Sequence, residues 1–421
     1  MPIRAKRILI STFGSLGDLH PYIAVALELQ RRGHLPLIAS FDLHRAAVEA
    51  AGIEFRGVRP GLEIFGELES VVRKLFGSLR GPEYMIREIF MRHLRDSYAD
   101  TLAAAQGVDL MVTHPLTFTA RLVAEQQRLP WISTVLAPLN LLSAVAPPLF
   151  PGGAWLQWLR RLGVGPYRFA FGTLKKMIAH WERPLRELRA ELGLPPLRGM
   201  AMFEGQFSPL LASPQADWPA NTVVCGFARY DGSRIPADSE GLEAFLAGGE
   251  APIVFALGSS AVMIAGDFWR HAADAAQQLG RRAILLTGLP PQLQPVLPPG
   301  IKAFQYLPYS TVFPRAAAVV HQAGIGTLAQ ALSAGRPQLI VPVAFDQPDN
   351  ARRAQRLGVA RVLPFRKVTS GRLAEQLRAL LGNAGNAGYA RRAAAVAGTL
   401  AGENGAAAAC DQIERLLQQS G

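Results

Sequence analysis
Short apolar runs recur along this chain, each followed by a small or polar turn and then by a stretch whose apolar positions repeat with helical spacing. Runs and repeats of that kind are strands feeding amphipathic helices. The densest example is the apolar run Ala316 to Val320 followed by HQAGIGTLAQALSAGRPQLIVPVAFDQPDN over 321–350. It predicts a strand, a glycine turn, a helix from near Thr327, a second strand and a polar loop. Such a βαβ unit carries a polar pocket at its strand ends, where helix N-termini favour anions.

The alternation runs through the rest of the chain. Strands are predicted at Arg7–Thr12, Leu35–Ser40, Ile53–Val58, Leu110–Thr113 and Trp131–Leu136, with helices over His20–Arg32, Asp42–Ala51 and Thr117–Gln127 and helical material up to about Gln106. Together they make a first doubly wound parallel sheet. The stretch 208–240 is proline-rich without helical period, and the linker is placed at 213–240. Strands at Pro252–Leu257, Ala283–Thr287, Ile301–Gln305, Ala317–Val320 and Gln338–Val341, with helices over Gly266–Gln278, Asp349–Leu357 and from Gly371, build a second sheet. The expected fold class is α/β, with two Rossmann-like domains over 1–212 and 241–401 facing each other across a cleft. A last helix within 402–421 is expected to pack back on the first domain.

Composition narrows the function. A chain of 421 residues is too long for one ordinary core, and its 49% apolar and 18% charged shares are those of a folded, enzyme-like protein. The formal charge of +12 draws anions, whether nucleic acid, acidic lipid or nucleotide. No compact basic run with interleaved aromatics appears, so no nucleic-acid partner is expected. Cys225 and Cys410 stand far apart without CxxC spacing, which fits a reducing, cytoplasmic setting without disulfides or a zinc knuckle. MPIRAKRILIST lacks the long apolar core of a signal peptide. Trp131 to Phe150 is uncharged, but Pro138, Pro147 and Pro148 argue against a spanning helix.

Residues 139–195 break the rhythm. Trp155, Trp158, Tyr167, Phe169 and Trp181 alternate there with Arg160, Arg161, Arg168, Lys175, Lys176 and Arg183. A helix pair capping a pocket with solvated arginines outside accounts for the pattern, and so does peripheral contact with an anionic membrane at its inner face.

Four loops end strands in small or polar residues: FGSLGD at 13–18, GSS at 258–260, YLPYS at 306–310 and the stretch 321–350. Two sheets joined by one linker would bring the first loop opposite the other three. FGSLGDLHP, ADWP with VCGF, FALGSS, YLPYSTVFPRAAAVVHQAGIGT and AGRPQLIVPVAFDQPDNARRAQRLGVA follow in that order over nearly the whole chain. In them the chain resembles the nucleotide-sugar-dependent family 1 glycosyltransferases of GT-B fold, above all the bacterial branch with sterol, rhamnolipid and natural-product enzymes.

The resemblance implies an inverting transfer of a hexose from a nucleotide diphosphate sugar, UDP-glucose first and a TDP-sugar such as TDP-rhamnose second. The donor diphosphate would lie at Gly324, Ile325, Gly326 and Thr327, where backbone N–H groups and the helix dipole stand in for a metal ion. No metal or other cofactor is expected, in keeping with the lack of an HExxH or clustered-acid pattern. Gly14, Ser15 and Ser259 are further donor-side candidates. Tyr306 would stack on the base, with Leu307 and Tyr309 in the same loop. Asp346 and Gln347 match an acid–amide pair for the sugar hydroxyls, and Gln330 stands where plant members have a ribose-binding glutamate. Either His321 or Gln322 would make the phosphate contact that a histidine makes in many relatives.

Attack at the anomeric carbon needs a base for the acceptor hydroxyl. Asp18 holds the matching position, His20 is its rival, and Asp18 also suits helix capping. Phe13, Phe118, the loops after His114 and Pro138, and the aromatic segment 150–185 are expected to line an apolar acceptor pocket. Such a lining suits a flavonoid or other polyphenol, a terpenoid or sterol, or a hydroxy-lipid. Two alternatives remain beside the transferase, a nucleotide-sugar epimerase and an inactive nucleotide-sugar-binding relative. Oxidoreductase chemistry is disfavoured because FGSLGD lacks GxGxxG spacing.

Overall fold
The computed structural model describes residues 4–61, 68–77, 80–196, 203–232, 238–294 and 296–420; the side chains of Trp155 and Arg160 lie outside that description. In the first half β1 (Arg7–Ser11), β2 (Leu35–Ser40), β3 (Glu54–Gly57), β4 (Leu110–Thr113), β5 (Trp131–Val135), β6 (Phe203–Gly205) and β7 (Thr222–Val224) pair in parallel. They form a seven-stranded sheet ordered β3-β2-β1-β4-β5-β6-β7. Ile8, Leu9 and Ile10 are fully buried in succession because helices cover both faces of a parallel sheet. The five apolar runs stand where their pattern predicts. β6 and β7 were not foreseen, since FEG and TVV are too short to show a pattern and take their conformation from pairing, Thr134 beside Glu204 and Glu204 beside Val223.

The second half forms a six-stranded parallel sheet from β8 (Ile253–Ala256), β9 (Ala283–Leu286), β10 (Ile301–Phe304), β11 (Ala318–His321), β12 (Gln338–Ile340) and β13 (Ala360–Val362), ordered β10-β9-β8-β11-β12-β13. Ile253 and Phe255 enter one core layer while Val254 and Ala256 enter the other, the period-two division that builds two layers from one strand. β13 was missed, because only Ala360 in it is buried.

Two compact units result, one holding residues 1–148, 152–230 and 404–421, the other 149–151 and 231–403. The stretch 213–230, read as linker, belongs to the first unit, and residues 233–237 lie outside the described residues. Helical material expected before Gln106 includes 62–67 and 78–79, also outside them; helices at Leu68–Gly77 and Leu94–Ala104 are described.

The last helix, Gly405–Ser420, packs on the first helix, Leu16–Arg31. Arg32 fastens the pair through Glu28 at 2.9 Å, Asp411 at 2.7 Å and Glu414 at 2.9 Å. A Cβ on Gly405 would lie 2.4 Å from the Phe227 carbonyl carbon, so only glycine lets the last helix start there. The first helix begins at Leu16 rather than His20, because Ser15 and Asp18 form a reciprocal capping box that starts it a turn earlier.

Candidate active site
Two strand-to-helix turns, one in each unit, hold most of the residues singled out by sequence. In the first, β1 leads through Phe13 and Gly14 into the helix Leu16–Arg31. The Asp18 carboxylate folds back over the turn and accepts the Ser15 N–H at 2.7 Å and the Ser15 hydroxyl at 2.9 Å. Gly14 has φ +132°, and a Cβ there would come within 2.4 Å of the Asp18 carboxylate, so the turn needs glycine for conformation and for space. Burial pushes the Asp18 carboxyl above the usual carboxylate range, against the two Ser15 bonds.

His114 follows β4, and β1 and β4 are neighbours in register with Ser11 beside Thr113. Its Nε2 therefore stands 3.8 Å from an Asp18 oxygen. The Leu116 N–H donates to Nδ1 at 3.2 Å, which puts the proton of the neutral ring on Nε2, the atom facing Asp18. Burial holds the His114 pKa down at about 3, so the ring is neutral near pH 7. The sequence pattern marked His114 only as an acceptor contact; adjacency of the β1 and β4 ends was the signal for its pairing with Asp18. His20, the rival base, stands edge-on to Tyr230 at 5.3 Å.

A recess opens at the same strand ends. Phe13, Phe41, Phe90 and Phe118 share its wall with the hydroxyl side chains of Ser40 and Thr101. Phe13 contacts Phe41 at 4.6 Å and Phe90 at 4.7 Å, and Phe90 meets Phe118 at 5.3 Å, a chain of rings in favoured tilted and edge geometries. No described side chain of the aromatic segment 150–185 lines this wall. Its helix, Gly165–Trp181, instead packs Ile178 and Trp181 into the cluster behind Phe90 and Phe118, because its inner apolar stripe is spent on that core. Pro138 is buried at the start of the short helix Pro138–Leu141, and neither it nor His114 lines the recess.

In the second unit, β11 leads through Gln322, Ala323 and Gly324 into the helix Ile325–Ser333, which begins earlier than the expected Thr327. Gly324 is its N-cap and no side chain caps it, so the N–H groups of Ile325, Gly326 and Thr327 form an uncapped helix N-terminus. His321 is fully buried. Its Nδ1 accepts the Ala323 N–H at 3.1 Å and its Nε2 meets the Gln338 amide oxygen at 3.0 Å, while burial lowers its pKa to about 4. Both ring nitrogens are thus engaged inside the sheet. Gln322, next in sequence, emerges on the turn side, with its amide nitrogen 3.3 Å from the Thr327 hydroxyl and its amide oxygen without a partner. Gly258 has φ +67°, and a Cβ there would sit 2.2 Å from that amide nitrogen.

The flanking loops converge on this turn. Ser259 is half-buried after β8, and Gln330 is half-buried further along the helix. Burial pushes the Tyr309 phenol up to about 12 against bonds to Thr327 and the Gly258 backbone. Its ring stacks on Phe313 at 4.3 Å. The Tyr306 hydroxyl donates to the Asp231 carbonyl. The Leu307 side chain belongs to the core. Asp346 precedes the helix Gln347–Arg356. Gln347 accepts the Val343 N–H at 2.8 Å and the Ala344 N–H at 3.2 Å on its amide oxygen, which leaves its NH2 group as the donor. Asn350 was not singled out, yet its amide donates to the Asp346 carboxylate at 2.6 Å and to the Ala323 carbonyl at 3.0 Å, tying the two loops together. Its spacing, one helical turn after Asp346, was the available signal. Among the described residues no three His, Cys, Asp or Glu side chains form a metal-holding group.

Residues 8–145 match the glycosyltransferase family 28 N-terminal domain, and residues 285–413 match the C-terminal domain of the erythromycin biosynthesis protein CIII-like family. The chain is 32% identical to the O-mycaminosyltylonolide 6-deoxyallosyltransferase of Streptomyces fradiae, over 97% of each protein. Its fold matches the solved structure of the glycotransferase of kitacinnamycin, with a TM-score of 0.70 at 21% identity over 99% of this chain and 100% of that one. It also matches the glycosyltransferase VinC in complex with DTDP, with a TM-score of 0.68 at 19% identity over 98% of this chain and 100% of that one.

Proposed function
The chain belongs to the bacterial family 1 glycosyltransferases of GT-B fold, and from that premise we propose that it moves a hexose from a nucleotide diphosphate sugar onto a hydroxyl of a hydrophobic natural-product acceptor, with inversion. The observation that carries the donor side is the uncapped N-terminus of the helix Ile325–Ser333, with the unpartnered Gln322 amide oxygen beside it. An amide can turn over, so Gln322 can offer its NH2 group to a phosphate oxygen while its carbonyl takes the Thr327 hydroxyl. Backbone N–H groups and the helix dipole would hold the leaving diphosphate without a metal or other cofactor. His321, with both nitrogens engaged in the sheet, holds the turn rather than the ligand. The Gln347 NH2 group and the Asp346 carboxylate would read sugar hydroxyls, Gln330 the ribose, and Tyr306 the base.

On the acceptor side Asp18 takes the proton as the hydroxyl oxygen bonds to the anomeric carbon and the bond to the diphosphate breaks. Its raised pKa makes it a stronger base than an exposed carboxylate. The His114 N–H would orient the second carboxylate oxygen. The aromatic wall suits a hydrophobic acceptor such as a polyphenol, sterol or other terpenoid, with a hydroxy-lipid as a further fit. For the donor, UDP-glucose is one candidate. A TDP-6-deoxyhexose such as TDP-rhamnose is the other, supported by the 6-deoxyallosyl name of one relative and the DTDP bound in another. A cytoplasmic enzyme with peripheral membrane contact through the segment 150–185 completes the proposal.

A thermal-shift panel of nucleotide sugars followed by product analysis tests it. Stabilisation by one uridine or thymidine donor, then a glycosylated acceptor, is the expected result. Absence of any shift would sink the donor site, and an epimerised sugar formed from donor alone would transfer the chain to the epimerase reading. A shift without turnover on a broad acceptor set would leave a binding protein.

A further inference from the structure
The helix Gly165–Trp181 carries aromatic side chains on two opposite faces. Tyr167 and Phe171 are buried, and with Leu174, Ile178 and Trp181 they recur at three- and four-residue steps as the inner stripe. Phe169 sits two residues from each buried ring, which turns it about 200° away, and it is 79% exposed. Lys176 lies two turns further along the same outer line, with Arg168 and Lys175 on its flank and Met177 45% exposed on the other. The preceding 3-10 helix, Gly153–Leu162, adds Trp158 at 54% and Leu162 at 60% exposure together with the exposed Arg161.

Charge along this stretch of the sequence has one sign. The sequence contains no aspartate or glutamate between Glu125 and Glu182. Among the described residues, no carboxylate pairs with Arg161, Arg168, Lys175 or Lys176. Four of the twelve large apolar side chains exposed among the described residues, Trp158, Leu162, Phe169 and Met177, fall within the twenty positions 158–177, and clustered exposure of this kind marks an interaction surface. These project outward from two consecutive helices, and none of them lines the recess of the first unit. No described helix is long and apolar enough to cross a membrane, so any contact is from the side.

The geometry points to this face as a docking surface for an anionic lipid bilayer, with Trp158, Leu162 and Phe169 entering at headgroup depth and the four cations pairing with lipid phosphates. Amphipathic elements bind in this way when apolar insertion and electrostatic attraction act together. The inference deepens the membrane contact proposed above and makes no use of the donor or acceptor sites. It also gives the ring-lined recess a source of poorly soluble acceptor.

Co-sedimentation of the full chain with phosphatidylcholine vesicles, with and without phosphatidylglycerol, tests it. Binding to the anionic vesicles, weakened by salt, is expected. The double variant Lys175→Glu, Lys176→Glu should lower the partition at least about 25-fold, since each cation at an anionic surface is worth roughly fivefold. Phe169→Ser with Leu162→Ser should lower it about tenfold or more by removing the inserted side chains. All four positions are exposed, and an unchanged melting midpoint shows that the fold persists. Equal binding to neutral vesicles, no binding to either, or a dimer in light scattering that Phe169→Ser breaks would each overturn the inference. Because vesicle binding is measured without nucleotide sugar, and the donor panel without lipid, failure of one leaves the other standing.

Discussion
The two strand-to-helix turns share one backbone plan and differ in what fills it. In the first, the chain supplies its own anion: Asp18 reaches back to the Ser15 N–H and hydroxyl, and the helix is capped from within. In the second, Gly324 holds the capping position and offers no side chain, so the first-turn N–H groups keep no internal partner. The difference teaches how one supersecondary unit can serve two chemistries. A self-capped turn holds a carboxylate in place with raised basicity, whereas an uncapped turn attracts a negatively charged ligand.

The comparison breaks first at Asp18. Asp18→Asn keeps the cap but removes the base, and kcat should fall by about a thousandfold or more. Donor affinity, read by calorimetry, should stay unchanged. Retained turnover would move the base to His20. The opposite experiment gives the second turn an anion of its own. Gly324→Asp is compatible with φ −55° at that residue and needs only the flexible Gln322 amide, 2.9 Å from the new Cβ, to shift; its carboxylate would cap the helix and repel a diphosphate. Donor affinity should fall about a hundredfold while the melting midpoint holds or rises. Unchanged donor binding would place the diphosphate elsewhere.

Smaller effects sharpen the first turn. His114→Leu should lower kcat about tenfold with little change in donor KM. Leucine leaves the Asp18 carboxylate in a less polar surrounding, so the desolvation that already raises its pKa should grow and the acid limb of the pH–rate profile should move to higher pH. His114→Gln, which can return an N–H to that place, should restore part of both; no difference between the two variants would reduce His114 to packing. The smallest effect concerns the wall behind this turn, where Thr134 receives Tyr22 at 2.5 Å and lies beside Glu204 in register. Burial drives the Glu204 carboxyl from an ordinary 4.5 up to about 8. A pKa raised in the folded state stabilises the fold at low pH, and that contribution is lost as pH rises from about 4.5 through 8. Glu204→Gln should flatten this slope and gain on the order of 2 kcal/mol at pH 8 in denaturant melts. A slope equal to that of the parent protein would mean that Glu204 is solvated or paired.

Much of this was legible in the chain because local period survives folding. Central strands such as β1, β4 and β8 announce themselves through unbroken apolar runs. The Gly324 turn shows through its glycines and the strand before it. What stayed hidden depended on distant partners. β6, β7 and β13 are three-residue strands whose conformation is imposed by the strand beside them. Nothing near residue 18 in sequence announces His114, which arrives through the pairing of β1 with β4. The choice between His321 and Gln322 shows the same limit in miniature. Consecutive residues at a strand end face opposite sides, so the alternation says that one goes inward and only the packed sheet says which. The segment 150–185 was expected to line the recess because its aromatics are conspicuous, but composition does not tell an inner stripe from an outer one.

The clasp of Arg32 on Asp411 and Glu414 has a bearing on how the polypeptide is made and recombined. The unit that leaves the ribosome first cannot be finished until residues 404–421 have emerged, because they are part of it. An amino-terminal fragment ending near Tyr230 would leave the Val25 side of the first helix bare, where Cys410 now sits. Chimaeras that exchange the second unit between relatives therefore have two junctions to respect, one near residue 230 and one near 404, and the tail has to travel with the head.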